Sequence, residues 1–189
     1  MLILTTYGCD ALRVLIISDT HDNLGNVDYL IRNVIPKEKP QLIVHLGDFT
    51  SPFTLLRLKK SGIPIIGVLG NNDGDVSMLR EIEHRVAPQP VETNLGGFST
   101  FLMHGFKDAA LTEKIATAIA LSGYYQLVLF GHTHRYKIEQ KGRTLLVNPG
   151  ALSGYLAEDA TYAVLDTTSR NVKVKKLRAM NILVEGKVL

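Results

Sequence analysis

Five short polar clusters hold the donors of this chain from which chemistry would be expected: Asp19-Thr20-His21, Gly47-Asp48, Gly70-Asn71, Met103-His104-Gly105 and Gly131-His132-Thr133-His134. Each follows a stretch of apolar residues. Together they offer carboxylate, amide and imidazole ligands without a thiolate, a set that suits Mn, Fe, Ni or Zn. Two such ions side by side clamp both oxygens of an in-line phosphoryl displacement. Taken singly, Gly-Asp or Asn in a strand-to-helix connection ordinarily serves as a turn or cap. Their conjunction carries the weight, and it points to a dinuclear metal site and metal-dependent phosphoester chemistry. Asp19 and His21 stand two apart, as do His132 and His134. In an extended chain such residues share a face, so each pair is expected to form a bidentate arm.

The elements between the clusters must bring them together. Residues 13–18, 41–45 and 63–69 are short and rich in Ile, Val and Leu, which predicts buried parallel strands. Helical periods separate them. A first helix is expected over about 26–35, with Pro36 and Pro40 beyond its end, and a second from Ser51 as N-cap with Pro52 at its first position. Further helices are expected over 75–84 and over 108–121, the latter ended by Gly123. In the second half the pattern turns toward antiparallel pairs. Residues 91–95 and 98–103 flank Gly96-Gly97, 136–140 and 144–147 flank a Lys-Gly-Arg turn, and 162–166 precede 172–177. The simplest layering is two packed sheets with outer helices. Asp19, Asp48, Asn71, His104 and His132 each come just after an expected strand, and the crevice beyond the carboxyl ends of strands is where open α/β sheets bind ligands.

Composition narrows the frame. A chain of 189 residues suits one domain, expected over 13–189, preceded by an extension at 1–12 that lacks the charged start, long apolar stretch and cleavage site of a signal peptide. No apolar run approaches the ~18 to 20 residues of a membrane span. The single cysteine, Cys9, forms no internal disulfide, which fits a reducing, cytoplasmic location. A net charge of +3 is weak for a nucleic-acid binder yet does not repel a phosphate ester.

In order and approximate spacing the clusters resemble the signature of the calcineurin-like metallophosphoesterases. The compact size, Gly70-Asn71-Asn72-Asp73 and Asn148-Pro149-Gly150 further resemble the small archaeal and bacterial phosphodiesterases of the YfcE type, related to the retromer subunit vacuolar sorting protein 29. The resemblance spans about residues 13–177. It implies a four-layer αββα sandwich of two mixed β-sheets flanked by helices, the metallo-dependent phosphatase fold. It also implies two divalent metal ions: Asp19, His21 and His134 on one, Asn71, His104 and His132 on the other, and Asp48 bridging both. Mn is the expected metal, with Ni, Fe or Zn as alternatives. A carboxylate has two oxygens and can bridge, whereas a neutral imidazole gives one lone pair to one metal. The implied activity is a phosphodiesterase acting on a small-molecule phosphate ester, with hydroxide between the ions attacking phosphorus in line.

One departure matters. Many members of the superfamily carry a histidine after the motif asparagine that protonates the leaving group; here that residue is Asn72. An amide is no general acid, so Asn72 is assigned to positioning the phosphate, and esters with poor leaving groups are expected to react slowly. Two other readings stay open: a metal-binding scaffold like the retromer subunit, and a nuclease of the same superfamily, for which neither a second domain nor a strong basic stripe is evident. Among the remaining polar residues, His45 is read as a packed or hydrogen-bonded strand residue, His84 as solvent-facing or a favourable helix-end charge, Asp73 as a turn or cap residue rather than a proton donor, and Asp22 as a helix-start or outer-sphere group. Arg135 is either a phosphate contact or a surface charge. Lys173, Lys175, Lys176 and Arg178 are read as the solvated face of an edge strand. Homo-oligomerisation is left open.

Overall fold

Val14, Leu15, Ile16 and Ile17 are all fully buried in strand β1 (Arg13–Ile17). Alternate side chains enter cores on opposite faces of the sheet, which is why the run is continuously apolar. The computed structural model describes residues 11–189. The expected extension, Cys9 included, lies outside them except for Ala11 and Leu12; the Leu12 N–H donates to Thr167 Oγ1 at 2.8 Å.

After β1, α1 (Leu24–Tyr29) runs through a π-helical turn (Leu30–Val34) into α2 (Ile35–Glu38). Then come β2 (Leu42–His45), α3 (Pro52–Lys59), β3 (Ile65–Val68), α4 (Val76–Ile82), β4 (Val86–Ala87), β5 (Val91–Leu95), β6 (Phe98–Met103), α5 (Ala109–Leu121) and β7 (Leu127–Phe130). Strands β8 (Lys137–Lys141), β9 (Thr144–Asn148), β10 (Thr161–Asp166), β11 (Asn171–Lys176) and β12 (Ile182–Lys187) complete the order. One sheet has seven strands, β12-β11-β10-β1-β2-β3-β4, and the other five, β5-β6-β7-β9-β8. Both are mixed: β1 pairs β2 in parallel and β10 antiparallel, and β6 and β9 both lie parallel to β7 while β5 and β8 run antiparallel to their neighbours.

The main core lies between the sheets, where Ile16, Val44 and Val68 of one meet Leu102, Leu129 and Val147 of the other. A second core packs Leu15, Ile17 and Ile43 against α1 to α4, and a third packs Val128 and Phe130 against α5 through Ala116 and Ala120. The layers are therefore helix, sheet, sheet, helix, the two-sheet α/β architecture expected. Among the described residues, no helix is long and apolar enough to cross a membrane.

Three differences from the sequence expectation have physical causes. The first helical stretch does not stop before Pro36. Proline has no N–H to give the preceding turn, and the π turn accommodates that missing bond before the helix ends at left-handed Lys39 (φ 50°). The two-residue strand β4 was too short to read. Strand β12, whose residues are half-buried or exposed and whose apolar run is broken by Glu185 and Gly186, was also missed. It covers β11, so the basic run is not on an edge strand: Lys173 faces Glu185, Lys175 reaches buried Glu38 at 2.6 Å, Lys176 pairs with Asp159, and the Arg178 guanidinium lies over Tyr29.

Candidate metal centre

The loops that follow β1, β2, β3, β6 and β7 are laced to one another at the carboxyl ends of these strands. Asp19 N–H donates to the Gly47 carbonyl (3.0 Å), His21 N–H to the Asp48 carbonyl (3.1 Å), and Gly131 N–H to the His104 carbonyl (3.0 Å). Asp19, His21, Asp48, His132 and His134 all take left-handed backbone, with φ between 42° and 66°. Such values are uncommon for non-glycine residues and gather at functional sites. The pairs are therefore not extended arms. Asp19 and His21 still converge, but through consecutive tight turns, and the same kind of turn sends His132 and His134 apart: His132 faces His104, and His134 faces Asp19 and His21.

Two groups of donors meet at Asp48. On one side, His134 Nε2 lies 3.2 Å from Asp19 Oδ1 and 3.2 Å from His21 Nε2, and His21 Nε2 lies 3.5 Å from Asp48 Oδ2. On the other, His104 Nε2 lies 3.4 Å from the same Asp48 Oδ2, 3.0 Å from Asn71 Oδ1 and 3.3 Å from His132 Nδ1. The seven residues expected as ligands are thus brought together, with Asp48 Oδ2 between His21 and His104.

The ring nitrogens facing outward are engaged. His104 Nδ1–H donates to the Leu46 carbonyl and His134 Nδ1–H to the Tyr155 carbonyl, each at 2.7 Å. Each neutral ring therefore turns a bare Nε2 lone pair inward. Asp19 Oδ2 accepts the His132 N–H at 3.1 Å, while Asp19 Oδ1 is buried with no hydrogen-bond partner among the described residues. Lone pairs and a carboxylate oxygen aimed at one another repel unless a cation lies between them. Two atoms bound at about 2.1 Å to one tetrahedral ion sit about 3.4 Å apart, which matches these separations. The donor set fits divalent ions.

The alternative to an ion is a proton, and the electrostatics show the competition. Asp19 raises the pKa of His134, with burial opposing it. Burial lowers that of His104, but the hydrogen bond to Asp48 and the nearby carboxylates raise it more. Asp48 is held well below the usual carboxylate range: burial works against ionisation, and His104 and Asn72 outweigh it. His132 goes down, through burial and the charge on His104.

Asn72 lies at this site, but on the carboxylate: its N–H donates to Asp48 Oδ1 and its Nδ2 to Asp48 Oδ2, both at 2.8 Å. Asp73 accepts the N–H groups of Gly70 (2.7 Å), Thr50 (2.8 Å) and Asp48 (3.1 Å), the turn role expected of it. Burial raises its pKa. Asp22 accepts from Ser51 Oγ and Thr54 Oγ1 and ties α3 to the first loop. His84 is exposed at the end of α4 and Arg135 is exposed at the rim.

Other residues hold the site, and of these Thr20 and Gln89 were given no role of their own in sequence. His45, expected as a packed or hydrogen-bonded strand residue, stacks on Phe49 at 3.6 Å, accepts the Gly47 N–H at Nδ1 (3.2 Å), and donates from Nε2 to Thr20 Oγ1 (3.1 Å). Thr20 then donates to the Asp48 carbonyl at 3.1 Å, joining the two carboxylate loops. Gln89 Oε1 accepts the N–H groups of His104 and Gly105, and Asn148 Nδ2 donates to the Gly131 carbonyl. The available signal was proximity to the motifs for Thr20 and His45; for Gln89 there was none. Gly70 admits no side chain, since a Cβ would stand 2.2 Å from Asp48 Oδ1.

The calcineurin-like phosphoesterase superfamily domain matches residues 12–170. The chain belongs to this superfamily. It is 30% identical over 167 residues to phosphodiesterase MJ0936 of Methanocaldococcus jannaschii, covering 86% of this chain and 97% of that protein. Among solved structures it is similar to an archaeal phosphodiesterase, with a TM-score of 0.77, 28% identity and coverage of 91% of this chain and 100% of that one. It is also similar to the phosphoesterase YfcE of E. coli, with a TM-score of 0.73 and 21% identity, over 94% of this chain and 100% of that one. Vacuolar protein sorting 29 of Cryptosporidium parvum shares the fold, with a TM-score of 0.67 and 20% identity over 94% and 98% of the two chains. Membership makes the protein a metal-dependent phosphoesterase by family, and its candidate ligand groups are in place.

Proposed function

We propose that this protein is a phosphodiesterase that holds two divalent metal ions, one on Asp19, His21 and His134, one on Asn71, His104 and His132, with Asp48 shared. The observation that carries this reading is the buried, unpartnered Asp19 Oδ1 facing the inward Nε2 atoms, with Asp48 Oδ2 between the two donor groups. When bound, such a pair of ions supplies Lewis acidity and a water acidic enough to act as a nucleophile at neutral pH.

The remaining roles belong to the chain. Asp48 stays ionised, and Asn72 holds both of its oxygens in place, a task that leaves Asn72 as an orienting group without a proton to give. The Leu46 and Tyr155 carbonyls fix the tautomers and ring planes of His104 and His134. The left-handed loops, each bonded to the next, preorganise the donors so that little reorganisation accompanies reaction. We assign Mn as the metal, a single domain over 13–189 with residues 1–12 as an extension, and a cytoplasmic location, in keeping with one cysteine in 189 residues. A small phosphate ester is the substrate class, the name of the Methanocaldococcus relative supporting a diester.

The test is hydrolysis of matched aryl phosphomonoesters and diesters by metal-stripped protein refilled with Mn, Ni, Fe or Zn. Turnover of diesters, greatest with Mn, is expected. No turnover with any metal would refute the enzyme, and a strong monoester preference would refute the diesterase.

A further inference from the structure

Two hollows adjoin at the mouth of the centre and share His134 and Leu156. The smaller, of ≈ 350 Å³, opens over His21, Asp48 and His132; the larger, of ≈ 660 Å³, continues outward past Arg135 and Tyr136 to Glu158 and Asp159. A phosphoryl group fills only a fraction of such a space, whereas pockets of about 300–1,000 Å³ take whole organic ligands.

The wall between the hollows is unusual for a surface loop. Leu156 is 92% exposed and left-handed (φ 55°), so a large apolar side chain is presented to solvent by a backbone that disfavours it. Tyr155 and Tyr136 beside it are 51% and 42% exposed. The loop is fixed to the centre: the Tyr155 carbonyl accepts from His134 Nδ1, Ser153 N–H donates to the Asp19 carbonyl, and Asn23 Nδ2 donates to the Ser153 carbonyl. Its apolar rim is thus held in register with the ligands.

We propose that Tyr136, Tyr155 and Leu156 form a subsite for the non-leaving arm of the diester, and that this arm is an uncharged planar group, an aryl ring or a nucleobase. The assignment rests on the phosphodiesterase reading. Tyrosine faces and a leucine suit a flat ring, through stacking and apolar contact. At the far end of the cleft the charge of Glu158 and Asp159 disfavours a second phosphate, and the nearby Lys176 is already committed to Asp159 at 2.6 Å, which leaves Arg135, next to His134, as the cation on this lining.

Leu156→Gly removes the side chain at a position whose positive φ suits glycine, so the loop keeps its course. Diesters sharing a 4-nitrophenyl leaving group and bearing either a methyl or a phenyl second arm are compared with the Mn-loaded full chain. The wild type is expected to show a KM at least tenfold lower for the phenyl arm, and Leu156→Gly to bring the two KM values within threefold while the ratio of kcat values holds. An equal KM for both arms in the wild type, or a preference that survives in Leu156→Gly, would overturn the subsite. A second readout does not need turnover: in metal-stripped protein, diphenyl phosphate should shift the NMR signals of the Leu156 methyls. Shifts without hydrolysis of any diester would support the subsite and reject the phosphodiesterase reading; unshifted methyls in a protein that hydrolyses diesters would reject the subsite alone.

Discussion

His45→Phe should make the protein less stable at neutral pH and less sensitive to acid. His45 is fully buried, and burial first, with the charge on His104 adding to it and Asp48 opposing, lowers its pKa from 6.5 to about 3. The folded protein therefore binds fewer protons here than the unfolded chain between pH 3 and 6.5, so stability rises with pH across that window and falls as the medium is acidified. At about 1.4 kcal/mol for each tenfold change, keeping His45 neutral costs about 2 kcal/mol at pH 5 and about 4 kcal/mol at pH 3. Phenylalanine retains the stack on Phe49 but leaves the buried Gly47 N–H without its acceptor, a loss of about 1–3 kcal/mol at pH 7. Urea denaturation of both proteins with chelator present, at pH 7 and pH 5, measures the difference. The other histidines are common to both and largely cancel. The stability gap should shrink by about 2 kcal/mol between the two pH values. A gap that stays constant would refute the buried, neutral assignment of His45.

Gly70→Ala would place a methyl carbon 2.2 Å from Asp48 Oδ1, so Mn affinity measured by calorimetry should fall at least tenfold, and wild-type affinity would contradict the bridging place of Asp48. Glu38, only 6% exposed, is bonded by Lys175, Arg13 and Tyr162; burial opposes its ionisation, but Lys175 and Arg13 bring its pKa below 4.5, so its stabilisation is present above that pH and is lost as pH falls through the folded value. Glu38→Gln should cost about 2–3 kcal/mol at pH 7, discounted because Arg13 is partly exposed, and nothing further in acid, as urea titrations at pH 7 and 3 would show. Without a proton donor at Asn72, rates across a series of diesters should fall steeply as leaving-group pKa rises, and Asn72→His should flatten that dependence, by up to about 10² for the poorest leaving groups. A flat dependence in the wild type would show that another residue already protonates the leaving group.

Legibility followed the range of the interactions. The strands that lead to Asp19, Asp48 and Asn71 were readable because burial on both faces writes a continuous apolar run, the strand before His104 was readable from the Gly96-Gly97 turn, and Ser51, Asp75 and Asp108 were readable as helix starts because an N-cap bonds within its own turn. Strand β12 was not, since its place depends on pairing with β11 rather than on its own pattern.

The sequence alone determined which donors are available, their order along the chain and their position after strands, because residue type and hydrophobic period are local properties. The resemblance carried by its motifs implied further that Asn72 stands where many members of the superfamily have a histidine. Only the tertiary structure decided that the backbone at Asp19, His21, Asp48, His132 and His134 is left-handed, that His132 and His134 part company, and that distant carbonyls, Leu46 for His104 and Tyr155 for His134, turn the imidazole lone pairs inward. The physical reason is the same in each case: these features are imposed by hydrogen bonds between loops far apart in the chain, and no local pattern of residues encodes the partner.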